Sequence, residues 1–181
     1  IKAVIFKIDS PGGSVTASDI LYNEIKVFKE RSGVKVVAAM MGLTASGGYY
    51  ISLPADYILA HPTTITGSIG VIFRRPRVTG LMDKVGIDVE VNKSGKNKDI
   101  GSPFRAATAE EEKIFQDLTD NLAVRFVDLV AKHRKLAPQT IAEISTARVY
   151  LANEALELGL VDEIGYLEKA VLQAKALARL P

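Results

Sequence analysis

Up to residue 60, strand-like and helix-like stretches alternate through short turns, and this alternation limits the fold more than any other feature of the chain. Residues 3–9, "AVIFKID", are apolar and β-branched, and "SPGGS" ends them with a sharp turn. Over 16–31 the apolar positions Ile20, Leu21, Ile25 and Phe28 recur at helical spacing, and Gly33 supplies the stop. Residues 34–41 read as a second, buried strand. A short helix starts near Ser46 and ends at Pro54, and "DYILA" at 56–60 is a third strand. Strands connected through helices pair in parallel, so the expected class is an α/β layer fold.

Further strands are expected at 71–73 and 87–92, with a helix around 81–85 between them. From Ala109 a long amphipathic helix runs to about Leu136, with Ile114, Leu118, Leu122, Phe126 and Val130 down one face. Two or three shorter helices finish the chain, with Gly159 and Gly165 as stops. Neither repeats nor low-complexity stretches appear, and 181 residues with 48% hydrophobic and 24% charged side chains suit one domain over 1–181.

Composition removes several kinds of chemistry. Cysteine is absent, which excludes disulfides, thiolate metal sites and cysteine nucleophiles. Two histidines, His61 and His133, leave little for a histidine-rich metal centre. A net charge of +2 is too small to argue for nucleic acid or anionic lipid. No apolar run reaches the roughly 18 residues a membrane span needs. The chain opens at Ile1 inside a strand-like run, so an anchor and first strands are expected upstream of it.

The stretch "MMGLTASGGYYIS" at 40–52 carries the first chemical signal. Each glycine costs a helix about 1 kcal/mol relative to alanine, so Gly47 and Gly48 imply a close approach or a special turn. A serine opening a helix behind a buried strand sits where backbone N–H groups converge, and those donors can hold an oxyanion. The plainer alternative is that Ser46 caps the helix. "DSPGGS" ends the first strand as Ser46 ends the second, which puts both at the carboxyl edge of a parallel sheet, where α/β proteins place their sites. Gly12 and Gly13 could present a second N–H there.

A serine nucleophile needs a base. His133 lies in "KHRK" and reads as solvated surface, whereas His61, in "AHPTT" after the third strand, is a possible triad member. The other choice is a lysine kept neutral by burial, at a cost of roughly 4–5 kcal/mol. Lys93, Lys96 and Lys98 in "NKSGKNKDIGSPFR" are candidates, and local reading does not choose among them. Asp99 beside Lys98 would hold the amine charged, except that neighbours in an extended segment point to opposite sides. "SGK" at 94–96 is followed by Asn97 and is no phosphate loop.

Taken together, "DSPGG", "TASGGYYIS", "TGSIGV", "SGKNKDIGSPFR" and "LELGLVDEIG" follow the order and spacing of the bacterial-type signal peptide peptidase A family, which the chain resembles over nearly its whole length. The resemblance implies a Clp-protease/crotonase-like layered α/β fold with a parallel β-sheet and a helical C-terminal part. It implies a serine–lysine dyad peptidase that uses no metal, nucleotide or other cofactor. Ser46 of "ASGGYY" is similar to the nucleophile, Lys98 of "KDIGSP" to the general base, and Ser68 of "TGSIG" to the serine that orients the lysine. Gly13 and Gly47 would supply the oxyanion-hole N–H groups.

The resemblance also implies apolar peptide substrates such as signal-peptide remnants and a cell-membrane location with the domain on the extracytoplasmic side, while the small net charge points to no nucleic-acid partner. The length matches single-repeat members. Those form homo-oligomeric rings in which serine and lysine can come from neighbouring protomers. "STARVYLANEAL" departs from the family, with Ala147 where a glycine is usual. Competing readings are a related serine–lysine peptidase of the stomatin-partner type, a crotonase-like acyl-CoA enzyme, and a scaffold that only binds peptides. The crotonase chemistry would require carboxylates near the site, and Asp9 is the one at hand; Glu110 to Glu112 look like a solvated first turn of a helix.

Overall fold

The computed structural model describes residues 1–181 and divides into two compact units, one of Ile1–Gly70 with Ala123–Pro181 and the other of Val71–Leu122. In chain order the elements are β1 (Ala3–Ser10), α1 (Val15–Ser32), β2 (Lys35–Ala45), α2 (Gly47–Ser52), β3 (Tyr57–Ala60), β4 (Ile65–Gly67) and α3 (Thr79–Val85). They continue with α4 (Ala109–Arg134), α5 (Pro138–Ile144), β5 (Val149–Leu151), α6 (Ala152–Glu157), β6 (Glu163–Ile164) and α7 (Leu167–Leu177).

Strand β2 organises the first unit. It pairs in parallel with β1 from Ala3↔Lys35 onward, with β3 from Val37↔Tyr57, and with β4 from Leu43↔Ile65. Strand β6 runs parallel to β3, and β5 lies antiparallel to β4. Residues 36–40 of β2 are at most 1% exposed, because the sheet is covered on both faces. Ala38 and Met40 join the core formed with Tyr49, Phe126, Val130 and Leu160, while Val37 and Ala39 pack with Ala170 and Ala174 of α7. Helix α1 starts where Ser14 Oγ accepts from the Ala17 N–H at 3.3 Å, and it ends at Gly33, whose φ of 66° suits a left-handed cap.

The register between β1 and β2 slips after Ile8↔Met40 and resumes at Ser10↔Thr44. The Leu43 N–H freed by this bulge donates to Asp9 Oδ1 at 2.9 Å. Asp9 is therefore a structural acceptor, which weakens the acyl-CoA reading that depended on it. The irregularity sets four residues of β2 against two of β1, and Ser46 follows directly on the end of β2.

Several sequence expectations need correction. Residues 71–73 and 87–92 form no strands, although the first run is apolar throughout and the second alternates. Ile72, Ile87, Val89 and Val91 are 45–69% exposed, and an isolated strand without a hydrogen-bonded neighbour has nothing to hold it. Strands β4, β5 and β6 carry two or three residues each, too few for any periodicity to show. Gly165 follows β6 and precedes α7, so it stops no helix. On α4, Phe126 and Val130 are buried but Leu118 is exposed. His133 is half-buried instead of solvated. Its Nε2 lies 2.8 Å from the Tyr22 hydroxyl, and burial, aided by Lys132 and Lys29, holds its pKa below the ordinary value.

Candidate active site

Two turns meet at the carboxyl edge of the sheet, and glycine is required where they touch. Gly12 has φ of 104°, and a Cβ there would lie 2.6 Å from the Gly47 nitrogen and 3.0 Å from Ser46 Cβ. A Cβ on Gly48 would lie 2.5 Å from the Ser10 carbonyl oxygen, and one on Gly47 would collide with Ser18 Oγ and approach the Gly13 nitrogen to 3.1 Å. Backbone therefore packs directly on backbone, with the Gly12–Gly13 turn lying against Gly47. Neither the Gly13 nor the Gly47 N–H donates to another group of this unit. Gly47 is buried, and a buried donor without an acceptor is costly.

Ser46 adopts φ 52° and ψ −121°, and its hydroxyl makes no capping bond to α2. The capping explanation therefore fails. A non-glycine residue in such a conformation costs on the order of 1–3 kcal/mol and persists only where its surroundings impose it. Here the Ser46 N–H donates to the Gly67 carbonyl at 2.8 Å, and the Ser46 carbonyl accepts from the Tyr50 N–H at 2.9 Å. The two tyrosines anchor the helix that follows. Tyr49 is fully buried and donates to the Leu160 carbonyl at 2.8 Å, and Tyr50 donates to Asp19 Oδ1 at 2.6 Å. Burial pushes the Tyr50 hydroxyl up to about 12 and the Asp19 bond adds to it, so it stays a donor at neutral pH. Asp19 is a supporting residue that sequence reasoning did not find, since one acid on an amphipathic helix carries no signal.

Ser68 shares the positive φ of Ser46. Its φ is 51°, its N–H donates to the Arg148 carbonyl at 2.9 Å, and it follows Gly67, which pairs in register with Ala45. The two serines thus leave adjacent parallel strands at the same level. Both are half-buried, and neither hydroxyl is engaged by another group of this unit. His61 does not join them, because its Nδ1 is 2.9 Å from Thr63 Oγ1 and its ring packs edge-on to Tyr166.

Lys98 belongs to the second unit. It lies exposed in a run of turns whose bonds include Lys98 N–H to Gly95 O at 3.1 Å and Ser102 N–H to Asp99 O at 3.1 Å. The segment is not extended, so strand alternation does not separate Lys98 from Asp99. The ion pairs do. Asp99 takes Lys93 Nζ at 2.7 Å and Arg105 Nε at 2.8 Å, Lys96 pairs with Glu110, and Lys98 enters no ion pair. Arg105 also reaches Glu111 at 2.5 Å. Glu111 is 3% exposed, unlike the solvated acid its sequence suggests, and it exchanges hydrogen bonds with Thr108 as a capping box. A cavity of about 320 Å³ is lined by Arg75, Arg77, Ser102, Arg105 and Glu111. No group of three or more His, Asp or Glu side chains converges to hold a metal. No helix is long and apolar enough to cross a membrane.

This layered α/β arrangement, with its mostly parallel sheet, is the Clp-protease/crotonase-like fold. A ClpP1 mutant from Listeria monocytogenes shares it with a TM-score of 0.60 over 93% of this chain and 77% of that one, at 20% identity. The description of peptidase family S49 fits residues 29–181, and the chain belongs to that family. Relatives provisionally named proteases from Synechocystis sp. and Methanocaldococcus jannaschii are 43% and 41% identical over 98% and 99% of this chain. The chain spans 64% and 57% of their lengths. The chloroplastic serine protease SPPA of Arabidopsis thaliana is 36% identical over 99% of this chain and 26% of its own.

Proposed function

We propose that this chain is the catalytic domain of a serine endopeptidase in which Ser46 is the nucleophile and Lys98 the general base. The observation that carries the reading is the backbone at Ser46, a strained serine whose hydroxyl is uncommitted beside two unengaged amides. Ser46 Oγ attacks the carbonyl carbon of the scissile peptide while its proton passes to the neutral Lys98 amine. The N–H groups of Gly13 and Gly47 donate to the oxyanion as it forms. The intermediate collapses, the protonated lysine gives its proton to the leaving amine, and an acyl-enzyme on Ser46 remains. Water, deprotonated by Lys98, then attacks the ester and releases the acid. The Ser68 hydroxyl orients the amine.

The family resemblance extends the proposal to apolar, extended peptides such as cleaved signal peptides, processed at the extracytoplasmic face of the cell membrane. A base must be neutral, and Lys98 is exposed within this chain. A closed ring in which a neighbouring protomer and the substrate enclose the lysine supplies the missing apolar surroundings. The stomatin-partner type of peptidase shares this chemistry, and profiling on peptide libraries separates the two by substrate.

Alanine variants test the dyad. Ser46→Ala and Lys98→Ala should each abolish cleavage with the fold intact, since nucleophile and base act as a unit. Ser68→Ala should cost less, while Lys93→Ala and Lys96→Ala retain turnover. When the two dead variants are unfolded together and reassembled, about a quarter of random interfaces in a head-to-tail ring regain an intact pair. Full turnover by Lys98→Ala would refute the assignment of the base. Mixed assemblies that form and stay dead would place both residues in one chain.

A further inference from the structure

We infer that Arg105 is a positioning residue that keeps the Asp99 carboxylate off Lys98, leaving the neighbouring amine without a counter-ion. The inference rests on Lys98 being the base. Adjacent Cα atoms are only about 3.8 Å apart, so a lysine and an aspartate next to each other in a turn can pair. A carboxylate on the amine favours the ammonium form and removes the base. Some other group must therefore occupy Asp99.

Arg105 is built for that task. Its Nε and Nη2 donate to Asp99 Oδ2 and Oδ1 at 2.8 and 3.0 Å, and Nη2 also reaches the Asp99 carbonyl at 3.3 Å. The fork meets both carboxylate oxygens at once, a geometry that lysine cannot reproduce. The guanidinium is held in turn by Glu111, at 2.8 Å from Nη1 and 2.5 Å from Nη2, and Glu111 is fixed at the start of α4 by the Thr108 N–H. The chain of contacts thus runs from a buried helix cap to the residue beside the base. Lys93 completes the enclosure of Asp99 at 2.7 Å.

None of the other acids of this unit pairs with Lys98, and Asp83, Asp88, Glu90 and Asp120 enter no ion pair at all. Glu110 takes Lys96, Glu112 takes Arg75, and Asp117 takes Lys113. Arg105 and then Lys93 hold the Asp99 carboxyl well below the ordinary carboxylate range, so it is ionised wherever the enzyme would work. Releasing it from Arg105 would free a full negative charge beside Lys98.

The test is the pH profile of kcat/KM on an apolar fluorogenic peptide. Arg105→Ala should move the rising limb to higher pH by about one unit, the lower end of the effect of a close opposite charge. Arg105→Ala with Asp99→Asn should return the limb to its original position, whereas Asp99→Asn alone should leave it in place. Lys93→Ala, at an exposed site, should give a smaller alkaline displacement and keeps the test open if Arg105→Ala does not fold. A uniform loss at all pH values with unmoved limbs in Arg105→Ala and Lys93→Ala would mean a merely structural role and would overturn the inference. The dyad is read separately: an active Lys98→Ala refutes that reading, and a dead Lys98→Ala with an unmoved limb in the other variants refutes this one.

Discussion

Replacing Ala147 by glycine should stabilise the protein and, at the same time, make room for a side chain at Gly70. Ala147 has φ of 56°, a left-handed conformation that costs an L-residue with a Cβ roughly 1–2 kcal/mol. The greater freedom of glycine in the unfolded chain offsets about 0.5–1 kcal/mol of that. The net gain is about 0.5–1 kcal/mol, or about 1–4 °C in Tm for a chain of this size. Ala147 Cβ also lies 2.6 Å from where a Cβ on Gly70 would sit, and apart from Ala147 Cα at 3.9 Å no other contact lies within 4 Å. Gly70 is not among the positive-φ glycines, so its backbone tolerates alanine. Gly70→Ala alone should therefore cost about 1–3 kcal/mol through overpacking, and only a few tenths once Ala147 is glycine. Urea denaturation of the parent, both single variants and the double variant, followed by far-UV circular dichroism, measures the coupling. Additivity within about 0.5 kcal/mol would refute the contact, and a destabilised Ala147→Gly would refute the strain.

Gly12→Ala should wedge the two turns apart, because its Cβ would press on the Gly47 nitrogen at 2.6 Å. The expected result is a fall in kcat of about 100-fold, the effect of losing one oxyanion donor, with an unchanged circular dichroism spectrum; retained kcat would show that these amides do not serve the reaction. Acidification should loosen the second unit between about pH 4.5 and 2, because the bonds from Arg105 and Thr108 hold the Glu111 carboxyl at about 2 against an ordinary 4.5. The folded state binds the proton less readily than the unfolded one, so the stabilisation is complete above 4.5 and disappears as pH falls toward 2. Hydrogen exchange at the start of α4 should show that slope, and Glu111→Gln should flatten it.

The first sixty residues were legible because each element there is long enough to show its period, and because "SPGGS" and "ASGGYY" mark places where backbone must touch backbone. The chemistry at Ser46 could be framed from the sequence, but its capping role could be rejected only from φ and the missing side-chain bond. Residues 87–92 show how pattern alone misleads. Their alternation of Ile87, Val89 and Val91 is real, yet a strand is defined by its neighbour, and none pairs with it in this chain. Arg105 stayed hidden because its partners stand six residues to either side, a spacing with no period in helix or strand. His133 was misread because a charged sequence context says nothing about Tyr22, 111 positions away.

Labelling with a fluorophosphonate acyl-serine probe tests the central claim most directly. The tryptic fragment covering residues 36–74 contains Ser46, Ser52 and Ser68, so fragment ions must assign the adduct within it. An activated Ser46 predicts one adduct on Ser46, absent from Ser46→Ala and strongly reduced in Lys98→Ala, with Ser68→Ala still labelled. An adduct on Ser68 or Ser52, or labelling of Ser46 that ignores the loss of Lys98, would contradict the account.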